Sequence, residues 1–250
     1  MMTPAAESPP PPPVTLYQFP PVWGRNPSPF TLKLEAWLRL AGVPYRVSDS
    51  FADFRRAPKG KLPYIDDRGR RIADSGLIIE YLSRSRGIDL DGWLSPRQRA
   101  EALALQRLLE DHLYFILTHA RWLDPAGWPA VKAAFFGWLP PGVRDAAAFT
   151  VRRRIARMLH LQGLGRHSQA ELYWMGQADL EAVATILGDK PFLFGERPAT
   201  VDAVAYGFLA NLLLVPVETE LKRLGDDLPN LRPWCEAIDA GLFAPPAPGG

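Results

Sequence analysis

Residues 58–82 read PKGKLPYIDDRGRRIADSGLIIEYL, and this stretch decides the fold. Tyr64-Ile65 and Arg71-Ile72-Ala73 bracket Asp67-Arg68-Gly69, a short Gly-containing turn, so the segment predicts a β-hairpin. Leu77, Ile78, Tyr81 and Leu82 then line one face of a helix that starts near Asp74. Upstream, VTLYQF at 14–19 is a compact apolar run expected to form a buried strand. A Pro/Gly-rich loop follows, and Phe30, Leu34, Trp37, Leu38 and Ala41 recur at helical spacing. Ser28 is placed to cap that helix, Pro29 to open it and Gly42 to stop it. Pro44-Tyr45-Arg46-Val47 reads as a second strand.

After Arg86 the texture changes. GIDLDGWLSP at 87–96 reads as a linker, and helices are expected beyond it. The first covers Glu101 to Ala120, with apolar residues at 102, 105, 109, 113 and 116. Others are expected at about 145–160, 169–187, 201–214 and 229–240. The fold class is therefore a small α/β domain with the element order of a thioredoxin-like fold, followed by an all-α C-terminal domain. The boundaries are a disordered Pro-rich leader at 1–13, the first domain at 14–87, the helical domain at 95–240 and a flexible tail at 241–250.

Composition narrows the function. The 250 residues are 47% hydrophobic and 22% charged with a net charge of +2, which excludes global disorder and a global nucleic-acid signature. The cluster Arg152, Arg153, Arg154 and Arg157 is read as the solvated face of a helix. One cysteine excludes an internal disulfide, a cysteine-built zinc site and an iron–sulfur cluster. His112 and His119 lie on one helix without further ligands, so no metal site is expected. The leader lacks the basic and apolar regions of a secretory signal, and the uncharged run 203–217 is short for a membrane span. A cytoplasmic protein without membrane or nucleic-acid partners is expected.

Three segments resemble the glutathione transferase superfamily. Pro58-Lys59-Gly60-Lys61-Leu62-Pro63 is similar to its P-x-G-K-[VL]-P stretch, whose last proline is cis. Ala73-Asp74-Ser75 with Ile78-Ile79-Glu80-Tyr81-Leu82 resembles its [ED]-S-x-x-I-x-x-Y-L signature. PFLFGERPATVDAVAYGFL, followed by LPNLRPWCEAI, resembles the core and closing helix of its helical domain. Residues 16–47 and 201–209 are most like the metaxin / failed-axon-connections branch and its bacterial relatives. One departure stands out: Ala199 occupies the position three before Asp202 where the family carries Ser or Thr, so that helix cap is expected to be shifted or weakened.

The resemblance implies a glutathione-binding first domain. Leu62, before a cis Pro63, would offer its backbone to the tripeptide's cysteine, and Asp74 would take the γ-glutamyl ammonium. Ser75 and its helix N-terminus would hold the α-carboxylate, and Lys61, or else Lys59, the glycyl carboxylate. Ordinary helix capping by Asp74-Ser75 and solvent-exposed lysines are the competing readings. Ser28-Pro29-Phe30-Thr31 sits where a glutaredoxin-like protein carries C-P-[YF]-C, so disulfide exchange by the chain's own thiols is excluded. Ser28 is instead the candidate catalytic residue, donating to the glutathione thiolate; Thr31 and Tyr17 are its rivals. Glutathione as co-substrate, a small hydrophobic electrophile and a homodimer are the implied partners. Trp23, Tyr114, Phe115, Trp122 and Trp128 are candidates for an apolar acceptor pocket, with core or dimer contacts as the alternative. Cys235 is read as a small buried apolar residue. The alternative function is a non-catalytic interaction module of the same fold, as in metaxins.

Overall fold

A computed structural model describes residues 12–243, so most of the expected leader and tail lies outside the described residues. Val14 and Leu16 are fully buried while Thr15 and Tyr17 are half-buried, the alternation of strand β1 (Val14–Tyr17). It ends before the expected Phe19. Strand β2 (Tyr45–Ser48) runs parallel to β1, and the crossover this pairing requires is helix α1 (Pro29–Leu40). The one-turn helix α2 (Phe51–Phe54), which the sequence pattern does not announce, leads to the 58–63 segment.

Strand β3 (Tyr64–Asp67) is antiparallel to β1 and to strand β4 (Arg70–Ala73), giving the sheet order β2-β1-β3-β4. The hairpin closes through Arg68 at φ 56° and Gly69 at φ 87°, the paired positive angles that match a two-residue turn to strand twist. Helix α3 (Ser75–Arg86) packs Ile78, Ile79 and Leu82 inward. Leu77, expected on that buried face, is 53% exposed, because the inward stripe starts one residue later.

Helix α4 (Pro96–Arg107) begins ahead of the expected Glu101, since Ser95 and Gln98 form a reciprocal capping box. It continues through a π-helical segment at Leu108–Leu113 into α5 (Tyr114–Trp122). Helices α6 (Trp128–Phe136), α7 (Pro141–Gln162), α8 (Gln169–Leu187), α9 (Thr200–Leu213), α10 (Glu220–Asp226) and α11 (Leu231–Phe243) follow. The sequence pattern misses α6 and α10. Residues 241–243, expected in the flexible tail, are helical. No described helix is long and apolar enough to cross a membrane.

Every residue of α9 from Val201 to Leu213 is buried. Asp202 accepts from Ala199 N–H at 2.8 Å and Leu193 N–H at 2.7 Å, and Ala199 has no hydroxyl to return the bond. Half of the capping box therefore survives. Burial pushes the Asp202 carboxyl up to about 6, with the two N–H groups pulling the other way. Thr200 turns its Oγ1 elsewhere, to Trp37 Nε1 at 3.3 Å.

That bond lies on the crossing of α1 and α9, where the two domains meet. Phe30 packs edge-on to Phe208 at 5.2 Å between ring centroids. At Gly207 the helices come so close that an added Cβ would sit 2.7 Å from Pro29 O and Lys33 N. These are backbone atoms, so a methyl there must push the helices apart. Gly207→Ala is expected to cost about 2 kcal/mol or more in urea unfolding, as overpacking does. Gly241→Ala, on α11 with open space around it, is expected to stabilise by up to about 1 kcal/mol through helix propensity.

Candidate functional site

The α1 N-terminus is set by Ser28 at φ −92° and ψ 118°, followed by Pro29. Its Oγ accepts from Thr31 N–H over a long 3.4 Å, and no acceptor among the described residues takes its own proton. The loop before it is tied down from both domains. Buried Asn26 accepts from Ser28 N–H at 3.0 Å and donates to Phe19 O at 2.9 Å. From α9, Asn211 Nδ2 donates to Asn26 O at 3.3 Å; from α5, Arg121 Nη1 donates to Pro27 O at 3.0 Å.

A cleft of about 840 Å³ opens above Ser28 between the sheet domain and the helical domain. Its near wall holds Ser28, Lys61, Leu62, Asp74 and Ser75; its far wall holds Glu110, Tyr114 and Phe115 with Arg154 and Met158 of α7. Lys61, Leu62, Pro63, Asp74 and Ser75 also converge on an adjoining recess of about 130 Å³, which Lys59 borders as well. The five positions placed in one site by resemblance are thus brought together in space. Leu62–Pro63 is cis. Asp74 caps α3, its Oδ1 accepting from Gly76 N–H at 3.0 Å and Leu77 N–H at 3.2 Å. It does so at φ 87°, a backbone region that costs a non-glycine residue about 1–3 kcal/mol. Ser75 is buried at the first turn of α3, a helix end that favours an anion.

The rivals of Ser28 fare differently. Thr31 is fully buried with its hydroxyl unpartnered, and it borders neither the cleft nor the recess. Tyr17 stacks flat on Tyr64, ring centroids 4.3 Å apart, and does not line the cleft either. Of the five aromatics, Tyr114 and Phe115 line the cleft, and Tyr114 and Trp122 border a further cavity beside Ser28. Trp23 and Trp128, both half-buried, line neither cavity and pack against the small cluster of Val131, Val215 and Val217, which Trp122 also touches. Cys235 is fully buried and burial pushes its thiol up, keeping it inert. His112 Nδ1 lies 2.6 Å from Asp179 Oδ2, and among the described residues no group of three or more potential ligands could hold a metal.

Sequence reasoning misses several residues of this region. Lys33, fully buried, pairs with Glu110 in the π-helical segment, which joins the domains under the cleft. Nothing in the spacing announces a partner so distant in sequence. The arginine cluster is only partly a solvated face. Arg152 donates to Trp122 O at 2.9 Å and Leu123 O at 3.0 Å, closing the end of α5, and Arg154 lines the cleft.

Comparison with known proteins adds to this geometry. Residues 29–127 match the family described as Glutathione S-transferase N-terminal domain, and residues 176–238 match Glutathione S-transferase, C-terminal domain. The chain is 34% identical over 235 residues to isoprene-epoxide–glutathione S-transferase of Rhodococcus sp. (strain AD45), spanning 90% of this chain and 97% of that protein. It is 35% identical over 213 residues to failed axon connections of Drosophila melanogaster, spanning 80% of this chain and 50% of that protein. Among solved structures, a glutathione S-transferase of Ceriporiopsis subvermispora in complex with glutathione superposes with a TM-score of 0.65 at 19% identity. The match covers 94% of this chain and 99% of that one, a shared fold.

The loop restraints generate a prediction. Asn26→Ala leaves Ser28 N–H and Phe19 O without partners, which is expected to cost about 1–3 kcal/mol in chemical unfolding. Unchanged stability would show that water replaces both bonds.

Proposed function

The chain belongs to the glutathione S-transferase family, and we propose on that premise that it binds glutathione in the recess beside Pro63 and activates its thiol through Ser28. The nucleophile would then attack an electrophilic, hydrophobic small molecule. The observation that carries this reading is the convergence of an uncommitted Ser28 proton, a helix N-terminus, the Leu62–Pro63 cis peptide and Asp74-Ser75 on one interdomain cleft.

Each group has a role its chemistry suits. Leu62 N–H and C=O, which have no partner among the described residues, would pair with the tripeptide as an added strand. Asp74 caps α3 through Oδ1, so Oδ2 remains to meet the γ-glutamyl ammonium. Ser75 and the first turn of α3 suit the α-carboxylate, and exposed Lys61 the glycyl carboxylate. Lowering a thiol pKa by two units takes about 2.7 kcal/mol of preference for the thiolate. A hydroxyl donating to a charged group supplies about 1.5–3 kcal/mol. The positive end of α1 adds about 0.3–1 kcal/mol. The magnitudes suffice.

Calorimetry with glutathione tests binding, and no heat at millimolar ligand would overturn the reading. That outcome would favour the interaction-module alternative. Ser28→Ala is expected to lower conjugation rates about 10- to 100-fold, the loss of one charge-assisted hydrogen bond. Unchanged rates would remove Ser28 from the chemistry.

A further inference from the structure

Helix α7 is peripheral: of its 22 residues only Ala148 and Leu159 are buried. Successive helical residues are rotated by about 100°, which puts Val143, Phe149, Arg153, Arg154, Arg157 and Leu161 in one outward arc of about 140°. All six are exposed. Val143, Phe149 and Leu161 are 57%, 60% and 68% exposed, three large apolar side chains spread along a helix of about 33 Å.

The arginines of that arc differ from those on the other helix surfaces of the molecule. Arg84 pairs with Glu80, Arg97 with Glu101 and Arg223 with Asp227, each four residues away on its own helix. Arg153, Arg154 and Arg157 have no carboxylate partner and no hydrogen-bond acceptor among the described residues. The Arg153 guanidinium lies over the Phe149 ring, 5.5 Å from its centroid. The one acid of α7, Asp145, falls outside the arc and is held by Lys132 at 2.8 Å and Arg144 at 3.4 Å. Fixed positive charge is thus interleaved with exposed hydrocarbon, and no acid on the helix faces the same way.

We propose that this face of α7 docks peripherally on an anionic lipid surface. The arginines meet headgroup phosphates, and Val143, Phe149 and Leu161 enter the boundary between headgroups and acyl chains. A nucleic acid or a free phosphate would satisfy the arginines and give the three apolar side chains nothing to bury against. None of the cavities beside Ser28 and Pro63 is lined by Phe149, Arg153, Arg157 or Leu161, so the arc is an outward ridge and suits a flat partner. No described helix is long and apolar enough to cross a membrane, and a helix that lies on one need not be. Arg154 and Met158 also wall the interdomain cleft, so docking by α7 sets the cleft mouth beside the lipid. Docking of this kind needs no glutathione.

The test is co-sedimentation of the full chain with vesicles of equal parts phosphatidylcholine and phosphatidylglycerol, against vesicles of phosphatidylcholine alone. Binding is expected to the anionic vesicles only and to weaken as salt rises. An arginine near an anionic surface contributes roughly fivefold in affinity, so Arg153→Gln with Arg157→Gln is expected to weaken binding about 25-fold. Phe149→Ala with Leu161→Ala keeps every charge and is expected to weaken binding about tenfold. All four changes replace exposed side chains, so both variants are expected to unfold at the urea concentration of the unmodified protein. Absence of binding to the anionic vesicles overturns the proposal, as does equal binding to the neutral ones. Binding that survives the arginine changes also overturns it. Loss in the arginine variant with full binding by the Phe149→Ala, Leu161→Ala variant would assign the face to a polyanion in solution and overturn docking on lipid. Tighter binding to polyglutamate than to the vesicles would assign it to an acidic protein and overturn the proposal as well.

Discussion

The contact of α9 with α1 at Gly207 is the constraint on which the rest of the molecule depends. With no side chain at that position, the backbone of α9 reaches Pro29 and Lys33, one turn from Ser28. The helical domain therefore meets the sheet domain at the N-terminal end of α1, where the candidate chemistry lies, rather than along its middle alone. Once the helices are that close, Asn211 and Arg121 reach the 26–28 loop and Lys33 reaches Glu110. The cleft is the space left above these contacts. Loop order and cleft shape are consequences of one close crossing.

The parts of the fold that were legible in the sequence are those governed by local chemistry. Ser28-Pro29 and Gly42 mark the ends of α1 because capping and backbone preference act within a few residues. The Arg68-Gly69 turn and the Asp74 cap were legible for the same reason. Leu77 was misplaced because a stripe shifted by one residue satisfies the same spacing while facing the cleft. Helix α6 is apolar almost all round, so it shows no one-sided stripe by which to recognise it; α10 is only seven residues long with two leucines, and α11 continues through residues whose composition resembles a tail.

The site divides along the same line. Lys61 to Pro63 and Asp74-Ser75 could be grouped because they sit in short motifs with a known order. Arg121, Asn211 and Glu110 carry no such mark. Each is a polar residue within a helix, and only packing against a distant segment removes it from water and gives it a partner on the Ser28 side. Lys33 looks like the polar face of an amphipathic helix until α9 and the π-helical segment cover that face. A buried polar group is informative because burial without partners is costly, but that information exists only in three dimensions.

The chain supplies hydroxyls where related folds carry thiols, and its own cysteine is buried in α11 with its thiol pushed up. Any sulfur chemistry must then come from a bound thiol, whose pKa Ser28 would lower under the proposed reading. The most direct measurement is the ultraviolet thiolate absorbance of bound glutathione, followed against pH in the unmodified protein and in Ser28→Ala. The bound thiol is expected to titrate about two units below free glutathione, with most of that shift lost in the variant. Glutathione that binds with an unshifted thiol, or a shift that survives Ser28→Ala intact, would contradict the account.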